Sequence, residues 1–108
     1  MDHARAERRS VLYHREIANR IERDESIVAR ALDRVETWLK DGSVARYYAQ
    51  AWREVLLRPT LELRAFLVDT SDHAQALRQV SPFAGVLSPR ERWTLWASEG
   101  EADDATAA

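Results

Sequence analysis

Residues 27–39 read IVARALDRVETWL. Ile27, Val28, Ala31, Leu32, Val35, Trp38 and Leu39 recur at steps of three and four, which puts every one of them on a single stripe of an α-helix. The flanks agree with that period. Asp24 and Glu25 suit the positive N-terminal end, and Gly42 suits the left-handed residue just past the C-terminus. Nothing elsewhere alternates with period two over a useful length, so no strand competes.

The same period extends on both sides. Upstream, Val11, Leu12, His14, Ile17, Ala18 and Ile21 mark a first helix over about Ala4–Arg23. The residues before it, about 1–9, are almost wholly polar and read as an N-terminal arm. Downstream, Ser43 is placed to cap a third helix over Val44–Leu57, with Tyr48, Ala51, Trp52, Val55 and Leu56 inward; Pro59 ends it. Thr60 restarts a short helix carrying Leu61, Leu63, Phe66 and Leu67. Ser71 caps another over Asp72–Gln79, with Ala74 and Leu77 inward.

The segment Leu77–Trp96, LRQVSPFAGVLSPRERWTLW, holds too much apolar surface for an exposed linker. Ser81-Pro82 reads as a cap with proline at the first helical position, a single turn stopped near Gly85. Ser88-Pro89-Arg90-Glu91 joins a capping box to a proline at the first helical position and predicts a helix over about Pro89–Ser98. The remaining residues, 99–108, are small and acidic and read as a disordered tail. The expected fold is therefore an all-α, compact single-domain bundle of five to six helices over residues 1–98, closed by a Pro-containing loop.

Composition narrows the function. The 108 residues are 45% hydrophobic and 31% charged, with four Trp, which fits one globular domain. With no cysteine there is neither a disulfide nor a thiolate metal site. The opening MDHARAERRS lacks the apolar centre of a signal peptide, and no apolar run reaches membrane-span length, so the expected location is cytoplasmic. All basic residues but Lys40 are arginine, a bias of GC-rich coding that suggests a bacterial source. The net charge is −2, and without the acids Glu99, Glu101, Asp103 and Asp104 the body carries +2. That is far less basic than a chain that grips nucleic acid through phosphates alone.

Chemistry-bearing patterns are sparse. His3, His14 and His73 have no metal-ligand spacing, and there is no Gly-rich phosphate loop or nucleophile elbow; neither metal nor cofactor is expected. Arg9-Ser10-Val11-Leu12-Tyr13-His14 fits an Arg-x4-His spacing that resembles the motif of HEPN-type ribonucleases. That resemblance implies Arg9 and His14 as catalytic candidates acting on an RNA backbone. Ser10 departs from the polar amide or acid often found there, and the motif lies in the first helix where the family places it late. The alternative is a structural His14 on the inner face beside a solvated Arg9. The helical pair 61–79 allows a helix-turn-helix offering Gln75, Arg78 and Gln79 to DNA, although Asp69 and Asp72 at its reading end repel phosphate. A plain helical hairpin is the preferred reading of these residues.

Trp93 and Trp96 share one face of the last helix and Leu95 lies off it. A terminal helix apolar on two sides is either sandwiched or docked on another molecule. Phe83, Val86, Leu87, Arg90, Trp93 and Trp96 are accordingly the candidates for binding a protein partner.

The run Ala76–Trp93, ALRQVSPFAGVLSPRERW, together with Tyr48–Arg53, YAQAWR, resembles a signature of short all-helical bacterial proteins, over about residues 12–97. It transfers no functional residue. Such proteins are similar in size and composition to antitoxins. The expected function is thus a non-enzymatic, antitoxin-like interaction protein, with a toxin encoded nearby as the expected class of partner. A DNA-binding regulator and a ribonuclease are the alternatives, and self-association is left open.

Overall fold

A computed structural model describes the backbone of residues 2–107 and the side chains of residues 3–98. Six helices follow in order: α1 (Asp2–Ile21), α2 (Ser26–Asp41), α3 (Arg46–Leu56), α4 (Thr60–Leu67), α5 (Asp72–Arg78) and α6 (Pro89–Ala107). The all-α bundle expected from the spacing is what the chain forms, with no strand among the described residues. Helix α1 is the hub and touches α2, α4, α5 and α6, while α2 and α3 form a tightly packed hairpin.

The local signals act where the sequence places them, with one exception. Gly42 takes φ 71° and donates its N–H to the Trp38 carbonyl, closing α2. Ser71 Oγ accepts from Ala74 N–H at 3.2 Å. The capping box is complete: Glu91 N–H donates to Ser88 Oγ at 3.1 Å, and Ser88 N–H donates to Glu91 Oε1 at 2.8 Å. Ser43 does not cap. Its N–H is taken by the Asp41 carboxylate at 2.9 Å, the chain bends there, and α3 starts at Arg46 with no side-chain cap. The aspartate contact is not what denies it that role, since Ser71 caps while Asp69 holds its N–H in the same way at 3.0 Å; Ala45, not Ser43, stands at the cap position of α3.

The core runs through all six segments of apolar spacing. Ile17, Ala18 and Ile21 of α1 meet Ile27, Ala31 and Val35 of α2, Ala49, Trp52, Val55 and Leu56 of α3, and Leu63, Phe66 and Leu67 of α4. Trp52 is its centre. Its ring meets Phe66 and Phe83 edge-on at 5.9 and 5.8 Å, and its indole N–H donates to the Leu77 carbonyl at 2.9 Å. Such edge-to-face pairs add about 0.5–1.5 kcal/mol each beyond their area.

The Ser-Pro loop is built into this core. Ser81 Oγ accepts from Phe83 N–H at 3.2 Å, Gly85 takes φ 88°, and Phe83 and Leu87 are fully inside. Tyr13 of α1 donates its hydroxyl to the Phe83 carbonyl at 2.7 Å, and Arg34 of α2 donates to the Ala84 carbonyl at 2.8 Å. The loop is therefore clamped from two helices.

Two expectations at the chain ends change. Residues 2–9 are the first turns of α1, and the supposed arm is tied down: Glu7 pairs with buried Arg78 at 2.6 Å, and Arg9 lies over the Trp96 ring. Helix α6 continues past Ser98 to Ala107. Its one interruption, Gly100, costs about 1 kcal/mol against a helix, and no proline follows. The acidic side chains expected in a disordered tail, 99–108, lie outside the described residues.

Candidate functional site

Two four-residue ladders on α1, Arg5-Arg9-Tyr13 and Ala6-Ser10-His14, lie side by side on one helix face. On α6, Arg92 and Trp96 stand one turn apart in the same way. Where the two helices diverge, these faces and the loop residues Ser81 and Ala84 enclose an open cleft of about 560 Å³. That is the size of a small-molecule site.

Its floor is neutral and polar. His14 is buried at 2% exposure, with Nδ1 2.7 Å from the Ser10 carbonyl and Nε2 2.8 Å from Ser81 Oγ. A carbonyl only accepts, so Nδ1 carries the proton and Nε2 accepts from the serine hydroxyl. Burial is the main cause holding the imidazole pKa down at about 4; the Ser10 carbonyl opposes it and the nearby Arg78 charge adds to it. His14 is accordingly uncharged at neutral pH.

Its walls are cationic and aromatic. The guanidinium carbons of Arg9 and Arg92 lie 4.8 and 5.9 Å from the centre of the same Trp96 ring. Among the described residues, no Asp or Glu lines the cleft and neither arginine has a carboxylate partner. The Trp96 indole N–H is buried with no acceptor among them.

Arg9 and His14 therefore do share one site, as their spacing requires. The ribonuclease role does not follow. Both imidazole nitrogens are already hydrogen-bonded, and a base of pKa about 4 is poorly matched to proton transfer near pH 7. Ser81 and His14 have the contact distance of a nucleophile and its base, but Ser81 Oγ also accepts the Phe83 amide and caps a turn. The pair is structural.

The DNA-reading trio comes apart. Arg78 is 3% exposed; it donates to the Asp69 and Leu67 carbonyls at the end of α4 and to Glu7. An arginine that satisfies the last carbonyls of a helix is favoured by charge and by hydrogen bonding, and it is not available to a groove. Gln75 folds back onto the Thr70 carbonyl at 2.9 Å. Only Gln79 is exposed.

Comparisons with protein families, with curated proteins and with solved structures return no match.

The partner-binding set divides. Phe83 and Leu87 are core residues and Val86 is half-buried against the core; they are not a docking surface. Leu95 packs onto the core as well. Arg90 is exposed, Trp93 is 66% exposed, and Trp96 is half-buried in the cleft. Among the described residues, no helix is long and apolar enough to cross a membrane, and no group of three metal-ligating side chains gathers. Arg5, Tyr13, Ser81 and Arg92 are cleft residues that sequence reasoning did not group. The spacing within each helix was visible, but the pairing of α1 with α6 was not.

Proposed function

We propose that this is a non-enzymatic bacterial interaction protein, cytoplasmic and antitoxin-like, that docks a protein partner through the outer side of α6. The observation that carries it is Trp93. Leu95 and Trp96 turn inward on the same helix, yet Trp93 stays 66% exposed beside exposed Arg90. Trp and Arg are the residues most often found at the energetic centre of interfaces. A toxin encoded nearby is the partner class that the antitoxin-like size and composition suggest.

The test is affinity capture from the native host with wild type and Trp93→Glu. The variant should lose the partner that wild type retains, while its melting temperature and helical circular dichroism stay unchanged. Equal capture by both proteins rejects the reading.

A further inference from the structure

The α1–α6 cleft lies apart from the outer side of α6 and asks for a different ligand. Two half-buried arginines, Arg9 and Arg92, converge on one indole, and among the described residues no carboxylate lines the cleft. Like charges brought together in a partly water-excluded site repel unless an anion sits between them. Each guanidinium presents a planar fork of donors suited to phosphate. Arg5, the third arginine of the lining, is exposed and has a contact of its own; the two charges on the indole match a dianion, and a single carboxylate would leave one of them unanswered. Above the polar floor of Ser10, His14 and Ser81, the remaining lining is the Trp96 and Tyr13 rings and the Ala6 and Ala84 methyl groups, which suit the flat, weakly polar part of a ligand. The volume, about 560 Å³, admits one small molecule and not a folded segment.

We propose that the cleft between α1 and α6 binds a small phosphate monoester carrying a planar ring, of the nucleoside monophosphate class, with Arg9 and Arg92 on the phosphate and Trp96 and Tyr13 against the ring. The full chain is titrated calorimetrically with AMP, adenosine and inorganic phosphate at about 50 mM salt. The Trp96 indole N–H resonance, assigned through Trp96→Phe, reports the location.

AMP should bind and shift that resonance, with adenosine and inorganic phosphate each at least about tenfold weaker. Arg9→Gln combined with Arg92→Gln should weaken AMP at least about tenfold with an unchanged melting temperature. Arg9→Lys, which keeps the charge and removes the fork, should fall between. No binding of AMP up to about 10 mM overturns the proposal. So does adenosine or inorganic phosphate binding as tightly as AMP, or a Glu-rich peptide moving the Trp96 signal where AMP does not. The wild-type arms decide the matter even if the double variant fails to fold.

Discussion

At the scale of single residues, two buried polar groups shape the behaviour of the protein. His14 folds as neutral imidazole with its pKa lowered from 6.5 to about 4. Between those values the unfolded chain binds a proton that the folded chain refuses, so stability falls as pH drops from about 6.5 toward 4. A shift of that size corresponds to roughly 3 kcal/mol. The melting temperature should decline across that window, and the ring resonances of His14 should titrate near pH 4 while remaining silent near 6.5. A melting temperature that is flat from pH 7 to 5 contradicts this. Arg78 is the second group. Arg78→Met should destabilise by about 2 kcal/mol, because the Asp69 and Leu67 carbonyls and Glu7 lose their donor. Adding Glu7→Gln should recover part of that loss in urea unfolding, since the stranded charge is then gone. Both residues were visible in the sequence, His14 correctly as a member of the inner face and Arg78 wrongly as a DNA contact. An arginine on a short helix reads as surface until the neighbouring helix end that it caps is known.

At the scale of elements, the punctuation carries the energetics. Gly42 sits at φ 71° with open space around its Cβ position, so Gly42→Ala meets no clash and pays only for the left-handed backbone, about 1 kcal/mol. Differential urea midpoints measure it. The α6 capping box does two jobs. Glu91 accepts the Ser88 amide and also the Arg20 guanidinium at 2.8 Å, the amide being the larger cause of a carboxyl pKa lowered to about 2. A carboxylate held below its unfolded value of 4.5 contributes stability above that pH and loses it as pH falls toward 2. Wild type should therefore show an acid limb between about pH 4.5 and 2, and Glu91→Gln should show a smaller one. An equal limb in both proteins refutes the coupling. The box was fully legible, because both its partners lie within four residues. Its link to Arg20 was not, because it spans 71 positions. Ser43 shows the limit in the other direction: a plausible cap goes unused because α3 starts at Arg46 with Ala45 at the cap position.

At the scale of the whole molecule, the Ser-Pro loop acts as part of the core. Phe83 is buried against Trp52, and its backbone is held by Tyr13 and by the Ser81 turn. Phe83→Ala should cost about 3–5 kcal/mol, as for other large core aromatics. Amide exchange at Phe83 and Val86 should be as slow as in α3, and fast exchange there would show that the loop opens independently. The apolar content of Leu77–Trp96 already required shielding. The structure supplies it from within the chain for Phe83, Leu87 and Leu95, and leaves Trp93 outside.

What the sequence determined by itself is the set of helices and their ends, since helix period and capping are local interactions between residues at most four apart. The place of Trp52 on an apolar stripe and the turn at Gly85 belong to the same local level; the Phe66, Phe83 and Leu77 contacts that bury Trp52 do not. Only the tertiary structure decided which helices meet. The packing of α1 against α6 and of α5 against α4 turned Arg78 into a core residue, tied His14 to Ser81, and brought Arg9 and Arg92 to one indole. The contacts made by α1 join residues about 70–90 positions apart and those of Arg78 with the end of α4 about ten, and no pattern within a single helix specifies its neighbour's face.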